Sequence, residues 1–218
     1  MKLSIHFLIA VIATTSFLTA GDYEPKLFKS VELIYEDDFS GGTLNTDYWQ
    51  KRQGTTWAVK DGVLKGSQSP KAFQDKMIVK GDKAHAGFKP VIWLEKVPEN
   101  LVVLFRVRFD SKNYQGKFPL IDIGHHINTL SFAEKRTTLI LKDAEKPILL
   151  EEKFLPLNTW IDVTIELKKG VLFLKMGDKT HTFEDPSINM VDQQQIDFKG
   201  ANFCEIQIDN VKVYKGIE

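Results

Sequence analysis

The chain has 218 residues, 43% of them apolar, with 29 Lys plus Arg balanced by 29 Asp plus Glu. That length suits a single domain able to bury a core of its own. A formal net charge of zero removes the electrostatic case for nucleic acid or an anionic membrane surface, and uncharged partners such as sugars fit better.

The chain opens with Lys2, then the apolar run LSIHFLIAVIATTSFLTA, which ends in small residues before a polar stretch. This is the pattern of a secretory signal. It assigns residues 1–21 to a signal peptide and 22–218 to one exported domain, secreted or periplasmic. The run is short for a membrane span and no second run of spanning length follows, so the mature chain is expected to have none. Cys204 is the only cysteine, which rules out an intrachain disulfide, and its parity with Ile206 and Ile208 marks it as a small core residue.

A strand is expected over residues 33–39, broken by Ser40-Gly41-Gly42. Asn45 and Thr46 can cap one helical turn over 44–49. Asp61-Gly62, flanked by Trp57, Val59, Val63 and Leu64, reads as a two-residue hairpin turn. Residues 76–79 read as a short strand, 81–89 as a polar loop holding His85, and 91–94 as a strand. Strands are also expected near 129–132, 138–141 and 148–154. WIDVTIEL alternates cleanly and begins a three-stranded meander over 160–183. Residues 187–197 read as a loop, and 203–214 as a long strand bent at Asp209-Asn210. A dozen or more short strands, with no helix beyond one turn, indicate a single all-β antiparallel sandwich.

The stretch from Leu101 to His126 carries the best site candidate. Val103, Phe105, Val107 and Phe109 share one parity, and Leu104, Arg106 and Arg108 the other. Ile121 and Ile123 are apolar, while Leu120, Asp122 and His126 face away from them. If both strands share a sheet, one polar surface gathers Arg106, Arg108, Asp122 and His126.

The segments YEDDFSGGTLNTDYW, WAVKDGVLKG, WIDVTIELKKGVLFLKMGDK and IDNVKVY resemble the concanavalin A-like lectin/glucanase sandwich. More narrowly, together with DKAHAGFKPVIWLEKVPENLVVLFRVRFD, they resemble the 3-keto-disaccharide hydrolase domain family of exported proteins from polysaccharide-degrading bacteria. The resemblance implies a jelly roll of two curved sheets and a carbohydrate partner held on a concave face. It also implies a structural Ca2+ near the first and last strands, with Asp38 and Asp209 as its carboxylates.

Family 16 glycosidases of this fold use a strand written Glu-x-Asp-x-x-Glu, whose two carboxyl groups act as nucleophile and acid/base. Here the matching stretch is Leu120-Ile121-Asp122-Ile123-Gly124-His125, and both glutamates are missing. Histidine chemistry fits better. His85 and His126 with Asp122 would supply a base for a proton made acidic by a keto group. Arg106, Arg108, His125 and Trp93 would hold the sugar, the indole through its apolar face. Zinc held by His85, His125 and His126 would lack any recognised spacing. Three functions stay open at this point: a 3-keto-glycoside hydrolase, a non-catalytic carbohydrate-binding module, and a structural or adhesive protein-binding domain.

Overall fold

The computed structural model describes residues 23–110, 119–133, 136–142, 147–152, 157–189 and 194–218. The expected signal segment lies outside the described residues. In chain order the strands are β1 (Ser30–Asp37), β2 (Trp49–Lys51), β3 (Thr56–Lys60), β4 (Val63–Ser67), β5 (Val91–Glu95), β6 (Leu101–Phe109), β7 (Leu120–Ile123) and β8 (Asn128–Ala133). They continue with β9 (Arg136–Leu141), β10 (Ile148–Glu152), β11 (Ile161–Lys168), β12 (Val171–Met176), β13 (Lys179–Glu184), β14 (Gln195–Lys199) and β15 (Ile206–Ile217).

Eight strands form one antiparallel sheet in the order β13-β12-β11-β6-β15-β4-β3, with β1 paired to the second half of β15. Seven form the other, in the order β10-β9-β8-β7-β14-β5-β2. Between them lies one apolar core that includes Trp49, Phe105, Phe109, Ile121, Phe132 and Phe198. The expected all-β sandwich is therefore observed. β15 bends where expected: Asn210 has φ 49° and the pairing with β6 slips between Asp209 and Lys212.

The odd residues of β6 are buried in this core, as are Ile121 and Ile123 of β7. β6 and β7, however, belong to different sheets. Arg106 and Arg108 therefore stand on the outer face of the first sheet, and Asp122 on the outer face of the second. The expected joint surface of Arg106, Arg108, Asp122 and His126 does not exist. Alternation fixes which side chains face the core, but not which sheet a strand joins.

Two elements differ from the sequence reading. Residues 76–79 belong to a helix, α1 (Lys71–Val79), followed by a short 3-10 turn at Lys83–His85. The β-branched pair Ile78-Val79 suggests a strand, but local bonds decide otherwise. Lys71 pairs with Asp75 one turn on at 2.8 Å, and Gln74 Nε2 donates to the Ser69 carbonyl at 2.8 Å. Ile78 and Val79 are left exposed at the helix end. The second difference is β14, which takes Gln195–Asp197 out of the expected loop. Among the described residues no helix is long and apolar enough to cross a membrane.

The outer face of the first sheet is partly roofed by residues 23–28. Phe28 packs on Val102 and Tyr214, with Tyr23 and Leu27 beside them. Glu166, fully buried beneath, anchors this strap. It accepts from the Tyr23 hydroxyl at 2.6 Å and from the backbone N–H groups of Lys26 and Leu27 at 2.7 Å each. Glu166→Ala leaves three donors without their acceptor. The expected loss is about 1–3 kcal/mol, read as a lower midpoint in thermal unfolding. An unchanged midpoint would show that the strap adds no stability.

Candidate functional site

The register of the second sheet lines up one row of side chains across five strands. Gln50 is opposite Trp93, Trp93 opposite Asp197, Asp197 opposite Asp122, and Asp122 opposite Thr129. Directly paired residues project to the same side. Ile196 and Phe198 fill the core, so Gln195, Asp197 and Lys199 stand with this row on the outer face.

The row centres on Lys199. Its ammonium bonds Asp122 Oδ2 and lies 3.1 Å from Asp197 Oδ2. All three side chains are buried. Thr129 donates its hydroxyl to Asp122 Oδ1 at 2.6 Å, and Gln195 Nε2 donates to Asp197 Oδ1 at 2.6 Å. Two buried carboxylates and one ammonium leave a formal charge of −1, which an imidazolium could offset.

Two histidines sit above these carboxylates, in the turn joining β7 to β8. Neighbours on a strand point to opposite sides, but this turn bends the backbone. Gly124 has φ 69° and His126 φ 59°, the left-handed region that glycine enters freely and histidine only at a cost. The result places the two imidazoles side by side, centroids 4.1 Å apart. His125 Nδ1 is 2.7 Å from Asp197 Oδ2. A carboxylate salt-bridged to Lys199 accepts, so His125 Nδ1–H donates and its Nε2 is left as the reactive atom. His126 Nδ1 is 3.4 Å from Asp122 Oδ2. Burial, followed by the charge of Lys199, holds His126 below the ordinary imidazole range.

These groups line a cavity of about 470 Å³, walled by Phe73 and Met77 of α1 on one side and Trp93 on the other. His85 joins the lining, as the sequence suggested, with its Nδ1 on Asp82 at 2.7 Å. Trp93 is not an open stacking platform. The Arg52 guanidinium lies 3.8 Å over its ring, and His125 meets it at 5.2 Å in a T-shaped contact. The structure thus brings together Asp122, His125, His126, His85 and Trp93, and adds Asp197, Lys199 and Arg52. The alternation in Gln-Ile-Asp-Phe-Lys over 195–199 was the signal that could have found Asp197 and Lys199. Nothing in the sequence singles out Arg52.

A retaining glycosidase needs two carboxyl groups about 5 Å apart that touch the sugar. Asp122 and Asp197 are cross-strand neighbours, but both are 0% exposed beneath the imidazoles. The groups that reach the cavity are histidines. Ligand atoms of Asp122, His125 and His126 also fall within 4.8 Å of one another. The Lys199 ammonium already on Asp122 repels a second cation, so this donor set does not fit a resident metal.

Arg106 and Arg108 lie away from this cavity. Arg106 Nε is 3.1 Å from Asp162 across the strand pair, its Nη1 is 3.8 Å from Asp209, and its guanidinium lies over Trp160. Arg108 stands opposite Gln207 on the same face. Asp209, with its carboxyl pushed up chiefly by burial, feels the charge of Asp38 as well. The backbone N–H of Ser40 donates to Asp38 Oδ1 at 2.9 Å. Asp38 and Asp209 are thus near enough for their charges to be felt, and Arg106 also stands beside Asp209.

No family model matches the sequence, and neither does any curated protein. Solved structures do match. One is SCLam, a non-specific endo-β-1,3(4)-glucanase from family GH16, with TM-score 0.60 and 13% identity over 88% of this chain and 94% of that one. Another comes from work on endo-acting O-glycanases of the human gut microbiota that initiate mucin breakdown, with TM-score 0.61 and 11% identity over 86% of this chain and 100% of that one. The catalytic domain of a laminarinase from Thermotoga petrophila gives TM-score 0.54 and 10% identity over 87% and 99%. The fold is the two-sheet antiparallel jelly roll that these structures share. At these identities the likeness extends to the fold alone.

Replacing Lys199 by Met keeps the bulk and removes the charge, leaving Asp122 and Asp197 buried against each other. A loss of about 3–5 kcal/mol is expected in urea unfolding. A loss below about 1 kcal/mol would mean that the ammonium is not what holds the pair.

Proposed function

We propose that the protein is an exported carbohydrate-active enzyme that breaks a sugar C–O bond by histidine acid/base chemistry in the cavity of the second sheet. The observation that supports this is the pair of adjacent imidazoles, each backed by a buried carboxylate, at the wall of a sugar-sized hollow. His125 has its Nδ1 fixed by Asp197 and its Nε2 available as a base. Asp122 and Asp197 act through the imidazoles and do not touch substrate.

The finer reading is a 3-keto-glycoside hydrolase. A ketone at C3 acidifies the proton on C2. His125 removes that proton, the electron pair forms the C1–C2 double bond, and the C1–O bond breaks. The proton taken up by His125 passes to the departing oxygen, and water then adds at C1, with a proton returned to C2, to complete hydrolysis. This route needs no glutamate pair, in keeping with Leu120 and His125 at the two glutamate positions. A non-catalytic binding module gains less support, because Arg52 covers the indole that would stack on a sugar.

Sugar release from a 3-keto-glucoside tests the reading. His125→Ala should lower it by about 10²–10⁴-fold with the fold intact. Arg106→Ala, on the opposite face, should leave it unchanged. Turnover that survives loss of His125, or no turnover on any keto-glycoside, would remove the proposal.

Calcium belongs to the same reading. Asp38 and Asp209 would hold it, and it would brace the first and last strands without entering the reaction. Added calcium should raise the unfolding temperature, and Asp209→Asn should abolish that rise. A midpoint indifferent to calcium and to chelator would dismiss the site.

A further inference from the structure

We infer that the cavity takes an acidic saccharide, one whose sugar unit bears a carboxylate or sulfate group, and that Arg52 is the residue that binds the anion. The inference rests on the same cavity proposed above for carbohydrate, and names the class of sugar.

The charge of the lining argues for it. The protein as a whole is balanced, 29 basic against 29 acidic residues. Every titratable side chain that lines this cavity is basic: Arg52, His85, Lys89, His125, His126 and Lys199. Beneath the wall Asp122 and Asp197 outweigh Lys199 by one charge, and Asp82 faces His85, so the cation on which the inference rests is Arg52. Among the described residues no carboxylate pairs with Arg52.

The placement of Arg52 supports a binding role. Its backbone is pinned on both sides: its N–H donates to the Val91 carbonyl at 3.0 Å, and its own carbonyl accepts from the Thr55 N–H at 3.0 Å and hydroxyl at 2.7 Å. Its guanidinium lies over the Trp93 indole. A guanidinium held against an aromatic face keeps its N–H donors in the plane, ready for a two-oxygen acceptor. Trp93 adds a second donor. Its Nε1 is buried and, among the described residues, has no hydrogen-bond partner. Buried donors are nearly always satisfied, so a missing acceptor at a cavity wall calls for a ligand oxygen. His125 meets the same indole at 5.2 Å, so an anion on Arg52 would sit near the proposed base. Phe73 and Met77 supply an apolar wall for the sugar ring.

Calorimetric titration tests this with three probes of one chain length: a uronic acid oligosaccharide, the same oligosaccharide with its carboxyls reduced to alcohols, and a sulfated neutral oligosaccharide. The full chain should bind an acidic probe at least about tenfold more tightly than the reduced one, with affinity falling as salt rises. Preference between the uronate and the sulfate identifies the anion. Arg52→Gln should abolish the preference, Arg52→Lys should retain part of it, and Trp93→Phe, which keeps the ring and removes the donor, should weaken acidic binding. Circular dichroism checks that each variant is folded. Equal affinity for acidic and reduced probes, or a preference untouched in folded Arg52→Gln, overturns the inference. The outcomes separate from those of the catalytic reading. Acidic sugar bound without turnover would leave this inference standing. His125-dependent cleavage of neutral keto-glycosides with no acidic preference would leave only the other.

Discussion

The contact on which the outer face of the second sheet depends is the Lys199 ammonium buried between Asp122 and Asp197. Taking charges out of water costs several kcal/mol for each ion, and only close pairing with further hydrogen bonds offsets it. Thr129 and Gln195 supply those further bonds. The arrangement then limits what can stand above it. Above them Asp197 takes the His125 imidazole at 2.7 Å, and the His126 imidazole stands 3.4 Å from Asp122. The strained turn at Gly124 and His126 is what allows two consecutive residues to stand over the same pair of carboxylates.

The two outer faces of the sandwich have taken different courses. On the first sheet, Arg106 is absorbed by Asp162, Asp209 and Trp160, and the strap on Glu166 covers Val102. On the second, α1 and the β7–β8 turn rise around the row of polar side chains and leave a hollow between them. The helix that the sequence did not announce is thus one wall of the cavity. Phe73 and Met77, one helical turn apart, line the hollow together.

Much of the fold was legible because burial in a sandwich writes itself as a period of two. The alternation in β6 and β11 correctly sorted side chains that face the core between the sheets from those that face outward. The Asp61-Gly62 turn and the bend at Asp209-Asn210 also stood where the residues suggested. What stayed hidden was lateral: the sheet each strand joins is decided by long-range pairing, which parity does not encode. Hence Arg106 and Asp122 were grouped although a whole core separates them. The pairing of Arg106 with Asp162 was foreseeable as a cross-strand match. The three site histidines, Asp122 and Trp93 were found by residue type. Lys199 and Asp197 escaped because a polar run was read as loop, and Arg52 because its meaning lies wholly in the indole that folding places beneath it.

The strap at residues 23–28 also sets a direction. Glu166 stitches it to the outer face of the first sheet, the side turned away from the histidines. Tyr23 therefore lies at the rear of the molecule, and the strap takes up none of the space in front of the hollow, whose mouth stays clear of this part of the chain.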